Sequence, residues 1–112
     1  MKDFLLIFRS PQHDRPSASP EEMQANMKLW MDWFGSIAAQ NKLSNRGNRL
    51  VHDGKVVRPG QVITDGPYTE IKESIGGYIV VKAESLQEAA AIASSCPILL
   101  EGGNVEVREI AI

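Results

Sequence analysis

Apolar positions along this chain fall into continuous runs and helix-spaced runs, and their succession predicts the order of elements. Phe4-Leu5-Leu6-Ile7-Phe8 is apolar at every position, the pattern of a strand with bulky groups on both faces. Ser10 to Ala18, with Pro11, His13, Asp14 and Pro16, reads as a polar connecting loop. Ser19-Pro20-Glu21-Glu22 then opens a helix: serine caps it, proline takes the first helical position, and the second glutamate completes a capping box. Met23, Met27, Trp30, Met31, Phe34, Ile37 and Ala38 follow at helical spacing and predict one broad apolar stripe ending near Gln40.

Leu43 to Val51 is a faint strand signal, broken by Asn45, Gly47 and Asn48. In His52-Asp53-Gly54-Lys55, Asp-Gly supplies the positive φ angles of a two-residue hairpin turn. Val56-Val57 and Val62-Ile63 fall in its returning arm, with Pro59-Gly60 between them as a bend or bulge. Tyr78-Ile79-Val80-Val81 is a second nearly continuous apolar strand. Ser85-Leu86-Gln87-Glu88 repeats the capping box ahead of a shorter, alanine-rich helix carrying Leu86, Ala89, Ala90, Ile92 and Ala93, which Pro97 ends. Gly102-Gly103 leads into Val105-Glu106-Val107-Arg108, whose alternation predicts a strand with one wetter face. The order is strand, helix, strand with a hairpin, strand, helix, strand. That is the split β-α-β pattern of a ferredoxin-like α+β domain with an extra β-hairpin, expected as one domain over residues 1–112.

Two helices can cover only one face of a four-stranded sheet, yet the apolar runs at 4–8 and 78–81 load both faces. Burying each large apolar side chain is worth roughly 1.5–3 kcal/mol, so the bare face predicts a homodimer packed sheet against sheet about a two-fold axis.

Composition narrows the partners. At 112 residues, with 43% hydrophobic and 23% charged residues, the chain is an ordinary globular protein able to build a core without metals or disulfides. A net charge of −2 and the lack of a basic stripe speak against nucleic-acid binding. The lone cysteine, Cys96, forms no internal disulfide and fits a reducing, cytoplasmic setting. The five apolar residues at 4–8 are too few for a signal core or a membrane span. No phosphate loop, GxSxG elbow, HExxH helix or dinucleotide fingerprint is present, so no cofactor is expected.

Titratable chemistry is densest between Asp65 and Gly77, where Asp65, Glu70, Lys72 and Glu73 crowd a turn ending on a glycine pair. Asp65 reads first as a cap accepting the backbone N–H groups of Tyr68 or Thr69, and second as a base at a pocket mouth. Glu70, Lys72 and Glu73 form a constellation suited to acid–base work, against the plainer reading of solvated surface ion pairs. Tyr78 can offer its hydroxyl to a ligand or simply pack as a strand aromatic. Arg9, at the end of the first strand, and Arg108, in the last, can clamp an anion through two-pronged hydrogen bonds or serve as surface charges. Trp30 and Trp33 are helix neighbours that can border one cavity with Met23, Met27 and Met31, core packing being the plainer outcome. His13 and His52 stand far apart with no further ligands at suitable spacing, so no metal site is expected. Cys96, just before Pro97, reads as a buried small hydrophobe rather than a nucleophile.

Taken together, Asp65-Gly66-Pro67-Tyr68, Glu70, Lys72-Glu73, Gly76-Gly77-Tyr78, Ser85, Glu88-Ala89, Cys96-Pro97, Gly102-Gly103 and Val105-Glu106-Val107-Arg108 resemble the YCII-related family, specifically its DGPF branch, with Tyr68 in place of the usual phenylalanine. The Ser-Pro-Glu-Glu-Met helix opening and the Trp30, Trp33 pair are similar to that branch as well, so the resemblance spans essentially the whole chain. It implies a ferredoxin-like fold assembled as a dimeric α+β barrel. Some members occur beside or fused to sigma factors, and a related branch includes small-molecule lyases or dehalogenases that pair a first-helix histidine with an aspartate. Here the first helix has no histidine, and Trp30 stands near that position. Two functions follow as expectations. One is small-molecule binding with acid–base chemistry on a small organic acid, in a pocket between sheet and helices rimmed by Asp65, Glu70, Lys72, Tyr78 and Arg108. The other is a non-catalytic accessory or regulatory dimer, linked to sigma-factor regulation.

Overall fold

Strand β1, Lys2–Pro11, lies at the centre of the sheet and sets its geometry. The computed structural model describes residues 1–11, 19–66 and 73–111. Helix α1 (Pro20–Ala39), strands β2 (Leu43–Arg49), β3 (Gly54–Arg58), β4 (Val62–Gly66) and β5 (Glu73–Ala83), helix α2 (Leu86–Ala93) and strand β6 (Asn104–Glu109) complete the order, with a 3-10 turn at Pro97–Glu101. Four strands form an antiparallel sheet in the order β2-β5-β1-β6, the ferredoxin-like arrangement, while β3 and β4 pair only with each other. Both helices start as the capping boxes predict, Ser19 Oγ accepting from the Glu22 N–H and Ser85 Oγ from the Glu88 N–H, each at 3.1 Å.

Alternation along β1 divides the sheet. Phe4, Leu6 and Phe8 point to the helices and join Ile79, Val81, Ala83, Trp33, Ile37, Ala89, Ala93 and Ile98 in a single buried core. Leu5 and Ile7 point the other way, away from both described helices, and are half-buried. Thickness fits this division: the molecule spans 44 × 42 × 18 Å, and about 18 Å accommodates a sheet and one helix layer but no third layer. Phe8, Trp30, Trp33 and Phe34 interlock at ring separations of 5.2 to 5.9 Å, most of them edge to face. The Trp33 indole N–H is satisfied by Ile92 O at 3.2 Å and Ser95 Oγ at 3.1 Å, tying α1 to the end of α2.

Two expectations need correction. The chain reverses between β3 and β4 at Pro59-Gly60-Gln61, not at Asp53-Gly54. Proline fixes one φ, and Gly60 and Gln61 take φ of 83° and 61°, so the bend becomes the turn. Because β2 pairs with β5 instead of β3, Asp53-Gly54 serves only as the entry to the hairpin. The apolar stripe of α1 is also narrower than its spacing suggests. Trp30, Trp33, Phe34 and Ile37 face the sheet, while Met23, Met27, Met31 and Ala38 are exposed on the flank.

β2 survives its weak composition through a close approach. Gly47, at φ 63°, lies within the register shift between Asn45 and Asn48, and a Cβ there would lie 1.7 Å from Tyr78 O. We expect Gly47→Ala to cost about 2 kcal/mol or more in urea unfolding, from the positive φ plus the clash. Gly35→Ala, on exposed α1 with nothing within 4 Å, gains about 0.5–1 kcal/mol in the same measurement.

Candidate functional site on the open face of the sheet

Register alone assembles a grid on the uncovered face. Asn48 of β2 stands opposite Tyr78 of β5, Tyr78 opposite Ile7 of β1, and Ile7 opposite Glu106 of β6, one row across all four strands. The next row is Asn45, Val80, Leu5 and Arg108. Paired strands lie about 4.8 Å apart, so each row is polar or charged at its rims and apolar at its centre.

Arg9 enters this grid through a bulge. Pairing runs from Phe8 opposite Gly77 to Arg9 opposite Ile75, leaving Gly76 as the extra residue. Gly77 sits with its missing Cβ 2.8 Å from Asn48 O, and Gly103 with its missing Cβ 2.5 Å from Arg9 O, so both glycines let neighbouring strands close up. Arg9 is thereby held one step along from Glu106. Its Nε and Nη2 donate to Glu106 Oε1 at 3.2 and 3.1 Å, and Arg108 Nη1 donates to Glu106 Oε2 at 3.2 Å. Two guanidinium groups thus converge on one carboxylate. Hydrogen bonds from Arg108 and then Arg9 hold the Glu106 carboxyl below its ordinary value. At the other rim, Asn48 Nδ2 donates to the Tyr78 hydroxyl at 3.0 Å.

The structure therefore brings Arg9, Tyr78 and Arg108 onto one face, and it is the face away from the helices rather than a pocket beneath them. Trp30 lies on the opposite side, edge-on to Phe8. Asp65 is elsewhere again: on the β3–β4 hairpin its carboxylate pairs with Lys55 Nζ at 2.9 Å across the strands, with 94% of the side chain exposed. Glu70 and Lys72 lie outside the described residues, as do Tyr68, Thr69 and His13. Glu106 and Asn48 were not singled out from sequence. The signal for Glu106 was present, because Val105-Glu106-Val107-Arg108 alternates and places Glu106 and Arg108 together.

Cys96 is 2% exposed, and burial pushes its thiol up to about 11. It is no nucleophile at neutral pH. Among the described residues no group of three or more His, Cys, Asp or Glu side chains could hold a metal ion, and no helix is long and apolar enough to cross a membrane.

A ferredoxin-like α+β sheet carrying a charged cluster on its bare side is the class that fold and site define. Within that class, the chain belongs to the YCII-related domain family, whose model matches residues 4–111. Comparison with curated proteins finds no match.

Two titrations follow. The raised Cys96 value means the folded protein holds its thiol proton more tightly than the unfolded chain, so the contribution of Cys96 to stability is full below about 9 and is lost as pH rises towards 11. Native Cys96 should resist a thiol reagent at pH 8 and react only on unfolding. Glu106 works in the opposite sense: its contribution is present above the ordinary 4.5 and is lost as pH falls through its lowered value. Glu106→Gln should flatten the acid limb of the stability curve, read by denaturant titration at stepped pH.

Proposed function

We propose that the protein binds a small organic acid on this open face, with Arg9 and Arg108 as the carboxylate clamp, and that a second copy covers the face to frame the cleft. The observation that carries the reading is the convergence of two arginines on Glu106 beside an apolar strip and the Tyr78–Asn48 pair. Arginine forks match carboxylates in two-pronged geometry, so the clamp that holds Glu106 can hold a ligand carboxylate in its place or beside it. Leu5, Ile7 and Val80 would take the ligand's carbon skeleton, and Tyr78 would offer a hydroxyl at the far rim.

Binding is favoured over proton transfer by the charges themselves. Hydrogen bonds from Arg108 and Arg9 hold the Glu106 carboxyl below its ordinary value, so the cluster favours the charged carboxylate and suits pairing better than proton exchange. The Asp-Gly-Pro-Tyr sequence at 65–68 supports placing the chain in the DGPF branch of its family.

Thermal-shift titration with small mono- and dicarboxylates tests the clamp. A ligand at one hundred times its dissociation constant should stabilise the protein by about 2.7 kcal/mol, and the shift should vanish in the Arg9→Gln, Arg108→Gln double variant. No stabilisation by any carboxylate, or stabilisation retained in the double variant, would overturn the clamp. Sizing at micromolar concentration should give a dimer, and a clean monomer would overturn the two-copy arrangement.

A further inference from the structure

Among the described residues, the hairpin of β3 and β4 is set apart from the rest of the fold. Its strands pack on each other, and among the described residues no other strand or helix makes more than marginal contact with them. The radius of gyration, 15.6 Å, exceeds the roughly 13 Å of a compact chain this long, as a projecting arm requires. One face of the arm carries Val57 opposite Ile63, 70% and 61% exposed, with the Lys55–Asp65 pair beside them. Its other face carries Val56 opposite Thr64 and Arg58 opposite Val62, with Val62 also exposed. An isolated two-stranded hairpin is marginal in water, and an exposed apolar hairpin is a site for association.

We infer that the arm is an intersubunit clasp, laid with its Val57–Ile63 face against the second copy of the chain. The inference rests on the two-copy reading above and adds what that reading lacks in area. β1 and β6 share a register from Phe4 to Arg9. The bare face is thus about 20 Å along the strands and about 20 Å across four of them, on the order of 400 Å². A stable interface takes about 800 Å² from each partner. The flat footprint of sheet against sheet is smaller than that, and the arm extends it. Each face of the arm adds on the order of 170 Å². Each copy contributes its own arm and also the surface beneath its partner's arm, which brings the interface near the usual size.

Charge permits the burial. Over 52–66 the acids Asp53 and Asp65 balance the bases Lys55 and Arg58, and Lys55 with Asp65 already pair within the arm. The clasp therefore buries apolar surface without stranding net charge. β3 also begins just beyond Arg49, which pairs with Gly77, and Gly77 faces Phe8 beside Arg9. The arm therefore leaves the sheet at the end where Arg9 stands, and the clasp closes the cleft there.

The test combines hydrogen exchange with sizing on the full chain. Amides of 56–58 and 62–64 should exchange more slowly as protein concentration rises through the dimer transition. Val57→Lys with Ile63→Lys should raise the dimer dissociation constant by roughly a hundredfold, with far-UV circular dichroism unchanged, since both residues are exposed within one copy. Val57→Thr with Ile63→Thr keeps β-branched side chains and should weaken the dimer in the same direction, by less. If exchange in the arm ignores concentration and the lysine variant dimerises like the parent, the clasp is wrong while the sheet-to-sheet dimer stands. If the parent chain is monomeric at every concentration, the two-copy reading itself fails and the clasp with it.

Discussion

β1 is paired along both edges and loaded on both faces, and the rest of the molecule depends on its register. Its side chains alternate, so Phe4, Leu6 and Phe8 seal the core while Leu5, Ile7 and Arg9 look outward. A slip of one residue would exchange the two sets entirely. The neighbours lock the phase: Ile79 and Val81 of β5 and Val107 of β6 lie inward beside Leu6 and Phe4. The hydrophobic effect thus fixes more than the core. By choosing which side of β1 is dry, it places Arg9, Glu106 and Arg108 together on the other.

The cluster is then refined by backbone, not by burial. The bulge at Gly76 and the close approaches at Gly77 and Gly103 decide how near the strands lie and where Arg9 points. Small residues at these positions let main chain approach main chain, and the guanidinium positions follow from that approach. A second charged tie, Lys42 Nζ to Glu88 Oε1 at 2.9 Å, joins the start of β2 to α2 on the helix side and holds the Glu88 carboxyl below its ordinary value. Both ties are partly shielded from water, unlike the exposed Lys28–Asp32 and Lys55–Asp65 pairs, which contribute little to stability.

Sequence made the fold class readable because its strongest signals were local. Continuous apolar runs marked β1 and β5, and capping boxes marked both helices to the residue. What it obscured was long-range. Asp53-Gly54 has the chemistry of a hairpin turn, but β2 is claimed by β5, a pairing thirty residues away that no local rule anticipates. The methionines of α1 fit a helical stripe, yet Trp33 and Ile37 are buried with Trp30 and Phe34 packed beside them, while the methionines stay exposed. Of the site, Arg9, Tyr78 and Arg108 could be named from the sequence, but their common face could not be assigned to the side away from the helices without strand order. Trp30, read with Trp33 as bordering a cavity, meets the other side of the sheet, because helical spacing says which residues are neighbours, not which side of a sheet they face.

The aromatic interlock has an optical consequence. The chain has two tryptophans, and both indoles sit behind the sheet, against Phe8 and Phe34. Intrinsic emission from this protein is therefore a gauge of how tightly α1 rests on β1. A molecule settling on the far side meets no indole, so its arrival has to be followed by some other signal, and a quiet emission spectrum during such an experiment says only that the helix layer has stayed in place.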